Sequence, residues 1–285
     1  MKCLVTGGAG FIGSALVEVL LQNNETVHVW DDLSSGWISN LKENVVFKHI
    51  KIEDIKSNED FDIIFHLAAK SSIPKSLKYP LDTLQSNVVG TMNVLEIARD
   101  CGAKIVYAGS ASAYDDPRSN PYALTKYMGE ELCRMYHKLW NVPIAIMRFF
   151  NVYGERQNSN CDFPGVVASF EKQVLKKEPI YIMGTGDKTR DFISVKDVAR
   201  GIYEAGRTSW IYNCEIMNLG SGKSTSINEL AEMFKYDKIV HLDDRPGEIE
   251  DSKADISLSL QMMKWKPIES LNDYVENFLK RQNKN

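Results

Sequence analysis

The chain has 285 residues, 44% of them hydrophobic and 25% charged, enough to bury a core without disulfide or metal staples. Its 34 basic and 38 acidic side chains leave a net charge of −4, which argues against nucleic acid or an anionic membrane as the main partner. No apolar run reaches the roughly 18 residues of a membrane span, and glycines interrupt any signal-like start, so a soluble, cytoplasmic protein is expected.

Short β-branched runs alternate with longer helical patterns through the first half. Strands are expected at Lys2–Thr6, Thr26–Asp31, Val45–Ile50, Phe61–His66, Lys104–Ser110 and Pro143–Phe149. Their uniformly apolar character suits a parallel sheet covered on both faces. Helices are expected at Phe11–Gln22, Leu81–Asp100 and Tyr122–Trp140. Alternating β and α elements predict an α/β fold with a doubly wound parallel sheet of Rossmann type.

The rhythm changes after Phe150. A polar loop at Asn151–Pro164 precedes a helix at Val166–Lys177, a strand and turn at Pro179–Gly186 and a helix at Ser194–Arg207. A strand at Asn213–Leu219, a helix at Ile227–Phe234, a charged loop at Asp243–Asp251 and two short helices complete the chain. This half reads as a smaller mixed α/β substrate lobe, with the strand near 217–222 rejoining the sheet. The expected division is 1–152 with about 191–222 for a dinucleotide domain, and about 153–190 with 223–285 for the lobe.

Three features carry chemistry. Gly7-Gly8-Ala9-Gly10-Phe11-Ile12-Gly13 lies between the first strand and first helix, where glycines let backbone N–H groups approach a pyrophosphate at the helix N-terminus. Asp31 ends the second strand, where a carboxylate accepts hydrogen bonds from an adenosine ribose and repels a 2′-phosphate, favouring NAD over NADP. A plain turn and a solvated strand-end Asp are the structural alternatives. Among the 12 tyrosines only Tyr122 is followed by a lysine four residues on, Lys126, and Ser110 ends the fifth strand twelve residues earlier. Removing a hydride from a secondary alcohol requires its hydroxyl proton to leave as well. A phenol near pKa ~10 must fall by ~3 units to act near neutrality, about 4 kcal/mol of phenolate stabilisation. One ammonium ~4 Å away at an effective dielectric of ~20 supplies about that much, which makes Lys126 the expected activator and Ser110 the group that shares the proton.

Other features read as structural. Gly220-Ser221-Gly222-Lys223-Ser224 has Met217 where a phosphate-binding P-loop needs its first glycine, which excludes that motif; Ser226 and Glu229 form a capping box instead. Cys3, Cys101, Cys133, Cys161 and Cys214 contain no C-x-x-C and are expected to be free thiols. The five histidines form no H-x-x-x-H pair, so no metal is expected.

Together these segments resemble the extended short-chain dehydrogenases/reductases of the nucleotide-sugar epimerase/dehydratase group, with the UDP-glucose 4-epimerase pattern nearest. The resemblance runs from Lys2 to about Pro267 through VTGGAGFIG (5–13), HLAAKSS (66–72), NVVGTMNVLE (87–96), YAGSASAY (107–114), PYALTK (121–126), RFFNVYG (148–154), GTGDKTRDFISVKDVA (184–199) and RPGEIEDSKAD (245–255). It implies NAD as cofactor, with Gly7, Gly10, Phe11, Ile12 and Gly13 at the pyrophosphate and Asp31 at the adenosine ribose. Ile52, Leu67, Ala68, Ala69, Lys70 and Asn87 would flank the cofactor, and Tyr122 and Lys126 would reach the nicotinamide ribose. Asn151, Arg190 and Arg245 would hold a nucleotide diphosphate, with Ser252 at the position that sets pocket size; Arg190 could alternatively pair with Asp187 or Asp191.

The implied activity is epimerisation at C4 of a UDP-hexose or UDP-N-acetylhexosamine through a transient 4-keto sugar. A dehydratase normally has an acid pair after the strand-end hydroxyl, and this chain has Ala111-Ser112. A decarboxylase, a reductase and a non-catalytic dinucleotide sensor stay open as alternatives. Departures from the pattern are Lys51 ahead of Ile52, Tyr107-Ala108-Gly109 ahead of Ser110, Asp115 after Tyr114, and a short segment between Tyr114 and Tyr122. The apolar Tyr122–Trp140 helix, with Leu84, Val88, Met92 and Leu95, could build a homodimer seam.

Overall fold

The computed structural model describes residues 1–114, 116–159, 164–208, 212–244 and 251–282. Asp115, Cys161 and Arg245, singled out above, lie outside the described residues. The first half contains β1 (Lys2–Thr6), α1 (Phe11–Gln22), β2 (Thr26–Asp31), β3 (Val46–His49), β4 (Ile63–His66), α2 (Ile73–Lys78), α3 (Pro80–Leu84), α4 (Gly90–Cys101), β5 (Lys104–Ser110), α5 (Pro121–Trp140) and β6 (Ile144–Phe149). The second half adds β7 (Asn151–Tyr153), α6 (Val166–Leu175), β8 (Ile180–Met183), β9 (Thr189–Arg190), β10 (Phe192–Ser194), α7 (Val195–Arg207) and β11 (Asn213–Leu219). It continues with β12 (Thr225–Ser226), α8 (Ile227–Met233), β13 (Ile239–Leu242), α9 (Ser257–Met262) and α10 (Leu271–Gln282).

Seven strands form one parallel sheet in the order β3-β2-β1-β4-β5-β6-β11. Alternate residues of each strand serve opposite faces, the period-2 consequence of the pleat. Cys3, Val5, Val29, Phe65, Val106 and Met147 share a core with residues of α1 and α7. Leu4, Trp30, Ile64, Ile105, Tyr107 and Ile146 share another with α4 and α5. The winding reverses between β1 and β4, so their C-terminal ends open the crevice where ligands bind in such sheets.

Three local features differ from the sequence pattern. The edge strand β3 is not covered on both faces: Val46 is 54% exposed, and Lys48 lays its ammonium 4.8 Å over the Trp30 ring. A charged side chain on an edge strand also discourages pairing with another chain. The expected Leu81–Asp100 helix is α3 and α4 joined by a π-helical turn at Gln85–Val89, which carries the buried Asn87. Helix α2 follows the Ser72 cap, its Pro74 being a helix-start residue.

From the second half, α7 packs on α1 and β11 extends the sheet beside β6. A separate core gathers Tyr153, Phe170, Ile180, Phe192, Leu230, Phe234, Val275 and Phe278. Three two-stranded pairs, β7–β10, β9–β12 and β8–β13, accompany it. The fully buried Asp197 ties the C-terminal segment to α7 by accepting from the N–H groups of Ile268 (3.0 Å) and Glu269 (2.9 Å) and pairing with Arg200. Among the described residues no helix is long and apolar enough to cross a membrane.

Candidate active site

The glycine turn leaves β1 at Gly7, whose φ of +71° and close approach to Ala68 both require glycine: a Cβ there would lie 2.8 Å from the Ala68 backbone. At Gly13 a Cβ would fall 2.1 Å from the Gly7 carbonyl oxygen. Gly10 caps α1 without a side chain, and the first helical turn has no acidic residue. The N–H groups of Phe11, Ile12 and Gly13 thus open the helix at its positive end, a cradle suited to a pyrophosphate.

Asp31 is 7% exposed and latches this turn to β2: its two oxygens accept from the N–H groups of Ala9 (2.9 Å) and Leu33 (2.8 Å). Burial pushes its carboxyl pKa up, and those two hydrogen bonds oppose the shift. On the other flank the turn after β4 carries Leu67, Ala68, Ala69 and Lys70. Leu67 N–H donates to the Thr6 carbonyl (3.1 Å) and Ala68 N–H to Thr6 Oγ1 (3.3 Å). Asn87 locks Lys70 by accepting its N–H (2.7 Å) and donating to its carbonyl (3.1 Å), while also donating to Thr125 Oγ1 (3.0 Å). The Lys70 ammonium itself reaches Asp32 and Ser34. Ile52 has its side chain in the core, against Gly90.

Ser110 ends β5 with its Oγ 2.7 Å from Ser112 Oγ, accepting the Ser112 N–H at 3.2 Å. Asn120 caps α5 by accepting the Ala123 N–H (2.9 Å), which sets Tyr122 in the first turn. Burial pushes the pKa of the Tyr122 phenol up, and the neighbouring Ser110 hydroxyl pulls it back. Lys126, on the next turn, is 4% exposed and donates to the Ala108 carbonyl (2.8 Å), its ammonium 5.2 Å from the Tyr107 ring centre. Burial lowers the Lys126 pKa to about 8, against the opposing charge of Glu130. The Lys126 ammonium faces the Ala108 carbonyl, and at the phenol desolvation outweighs the Ser110 contact.

On the lobe side, Asn151 donates its N–H (3.0 Å) and Nδ2 (3.2 Å) to the Asp191 carbonyl. Arg190 donates to the Thr189 carbonyl (2.8 Å), and the Ser252 N–H reaches the same carbonyl at 3.1 Å. Three of the four expected diphosphate- and sugar-side residues, Asn151, Arg190 and Ser252, thus meet along Thr189–Asp191. The Asp191 carboxylate is turned inward, accepting from Ser221 N–H and Oγ (both 2.7 Å), Gly222 N–H (2.9 Å) and Ala254 N–H (3.0 Å). A cavity of about 210 Å³ joins Asn151 to Gln157, Val166 and Phe192, residues that sequence reasoning missed.

A model of the NAD dependent epimerase/dehydratase family matches residues 3–220. The chain belongs to that family. Its relatives include a putative UDP-glucose 4-epimerase of Methanocaldococcus jannaschii, 35% identical across 99% of this chain and 99% of its own. UDP-glucuronic acid decarboxylase 6 of Arabidopsis thaliana is 33% identical across 94% of this chain and 84% of its own. The structure of UDP-glucose 4-epimerase with UDP-glucose from Thermotoga maritima has a TM-score of 0.92 at 31% identity, covering 100% of this chain and 99% of that one. This family member is an NAD-dependent enzyme of the epimerase type.

Two buried groups behind the site escaped the sequence reading of this epimerase-family chain. Glu130, one turn beyond Lys126 and fully buried, holds Arg148 through two hydrogen bonds (2.9 and 2.6 Å). The Arg148 guanidinium stacks under the Tyr114 ring at 4.8 Å, so this pair joins α5 to the turn after Ser110. A Cβ at Gly109 would meet Glu130 Oε1 at 2.9 Å, which accounts for glycine there. His66 bridges Thr6 Oγ1 (2.8 Å) and Thr91 Oγ1 (3.0 Å), and Thr91 donates to the Asn87 carbonyl (2.6 Å). With Thr91 Oγ1 donating to Asn87, His66 Nε2 carries the proton and the ring is neutral; burial holds its pKa at about 3. A glutamate at i+4 of Lys126 and a histidine closing a central strand were the only sequence signals of either group.

Proposed function

We propose that this protein epimerises C4 of a UDP-hexose or UDP-N-acetylhexosamine, with Tyr122 as acid and base. The observation that carries the reading is the convergence of Ser110 at the end of β5 with Tyr122 and Lys126 of α5, Lys126 donating to the Ala108 carbonyl of that strand, on the same sheet edge as the glycine crevice. Residues 1–152 with about 191–222 serve as the dinucleotide half and the rest as the sugar-nucleotide lobe, consistent with the separate lobe core. The glycine cradle of Gly7, Gly10, Phe11, Ile12 and Gly13 takes the pyrophosphate, Asp31 the adenosine ribose, and Asn151, Arg190 and Ser252 the sugar nucleotide.

Bound NAD supplies a hydride acceptor for C4 and, once the 4-keto sugar has turned over, a donor to its opposite face. Tyr122 Oη takes the 4-hydroxyl proton, with Ser110 Oγ sharing it, and later returns it. Lys126, released from the Ala108 carbonyl, stabilises the phenolate. Ala111 and Ser112 offer no acid for eliminating water, which separates this reading from a dehydratase.

The test is incubation of the purified protein with UDP-galactose, UDP-N-acetylgalactosamine and UDP-glucuronate, followed by separation of the sugars. Interconversion of a 4-epimer pair is expected. Loss of carbon dioxide from UDP-glucuronate would favour a decarboxylase, and no conversion of any pair would refute the epimerase. Tyr122→Phe should lower turnover at least ~100-fold while leaving the bound NAD content unchanged; undiminished turnover would overturn the mechanism.

The same reading includes a homodimer. Leu84, Met92, Leu124, Tyr127 and Met135 are exposed on α3, α4 and α5, whereas Val88, Leu95 and Tyr136 of the expected seam are buried within the chain. Light scattering should report about twice 32.3 kDa at micromolar concentration, and a monomer would refute the seam.

A further inference from the structure

We propose that Lys70 and Asp32 form a clasp across the cofactor groove, holding the dinucleotide by closing the crevice rather than by contacting its phosphates. This rests on the reading of the glycine turn as the NAD site.

The clasp joins two loops that do not neighbour each other. Strands β2 and β4 lie on either side of β1, about 9.6 Å apart at ~4.8 Å per strand, and the glycine turn rises from β1 between them. Both loops are seated on that turn. On the β4 side, a Cβ at Gly7 would meet the Ala68 backbone at 2.8 Å. On the β2 side, a Cβ at Gly36 would meet the Ala9 carbonyl carbon at 2.6 Å, and Trp37 N–H donates to the Ala9 oxygen at 3.1 Å. The Lys70 side chain then spans from one loop to the other, placing its ammonium 3.2 Å from Asp32 Oδ2 and 2.9 Å from Ser34 Oγ.

Both ends are built to hold this position. The Lys70 backbone is fixed at its N–H and its carbonyl by Asn87. Asp32 Oδ1 accepts the Ser34 N–H (2.9 Å), and Leu33 between them adopts a left-handed φ of +54° that only the surrounding contacts sustain. Burial pushes the Asp32 pKa up, but hydrogen bonds from Ser34 and Lys70 outweigh it and keep the carboxylate ionised. Both side chains remain about a quarter exposed, which makes the bridge one that opens and closes at modest cost.

The experiment measures NAD release from the holoenzyme by chasing with a fluorescent NAD analogue, for wild type, Lys70→Met, Asp32→Asn and the double variant. Asn keeps the Ser34 acceptor and Met keeps the Lys70 stem. The clasp predicts that each single variant and the double release NAD about 3–5-fold faster, with no further gain in the double. It also predicts that raising salt from about 0.05 to about 0.5 M speeds release from wild type and not from the double variant. Faster release in Lys70→Met with unchanged or slower release in Asp32→Asn would mean that the ammonium acts on the phosphates directly, overturning the clasp. Unchanged release in all three would overturn it as well. Wild type that takes up no NAD at all would refute the cofactor site itself, a result visible before any variant is made.

Discussion

Two glycine turns follow the C-terminal ends of parallel strands in this protein, Gly7–Gly13 after β1 and Gly220–Gly222 after β11, and they hold different things. Each uses a glycine in the left-handed region, Gly7 at φ +71° and Gly222 at +73°. In the first, the chain runs straight into α1 with no side chain capping the helix, so the N–H groups there are available to an external anion. In the second, the N–H groups of Ser221 and Gly222 already donate to the buried Asp191 carboxylate, which also takes the N–H of Ala254. Both turns bend through a left-handed glycine, but Asp191 takes up the N–H groups of the second, whereas Asp31 takes only the Ala9 N–H of the first and leaves those at the start of α1 for the proposed pyrophosphate.

The largest effect should come from emptying the second turn. Asp191→Ala leaves three backbone N–H groups and the Ser221 hydroxyl without their acceptor, which should lower unfolding free energy by about 3–5 kcal/mol in a urea titration. A loss under ~1 kcal/mol would mean that water substitutes for the carboxylate and that the two turns differ less than their geometry says.

A smaller effect is expected from filling the first turn. Gly13→Ala puts a Cβ where only 2.1 Å separates it from the Gly7 carbonyl, so the cradle must shift. NAD affinity should fall about 100-fold, measured by calorimetry, while the far-ultraviolet circular dichroism keeps its α/β shape. Retained affinity would detach the cradle from cofactor binding.

The smallest of the three concerns pH. His66 underpins the first turn through Thr6 and is held neutral, its pKa lowered by burial to about 3. An unfolded chain binds a proton at this residue near pH ~6.5, so stability that is full above that pH is lost as pH falls from there toward 3. His66→Gln should shrink the stability difference between pH 7 and pH 5 by about 1–2 kcal/mol, as read from denaturant midpoints. An unchanged difference would show that His66 takes up protons in the folded protein as it does in the unfolded chain.

The bounds of β1, β2, β5, β11 and α1 follow directly from the hydrophobic pattern, and the Ser110, Tyr122 and Lys126 constellation could be read from spacing alone. The direction of the Tyr122 shift could not. Helical spacing puts Lys126 on the same face as the phenol, but its ammonium is drawn to the Ala108 carbonyl, a partner 18 residues away in sequence. Asn87 looked like one residue of a regular helix, and only the π-helical turn explains how it reaches both Lys70 and Thr125.

By itself the sequence determined the parallel sheet, the glycine turn, the spacing of Ser110, Tyr122 and Lys126 and the family resemblance. Each depends on strand alternation, helical repeat or the torsional freedom of glycine, which are properties of neighbouring residues. Tertiary structure alone decided which buried charges meet. Asp191 finds its donors 30 and 63 residues away, and Glu130 finds Arg148 18 residues away. Those pairings depend on where whole strands and helices come to rest, and a carboxylate in the chain carries no mark of whether it will face an ammonium, a guanidinium or a turn of backbone N–H groups.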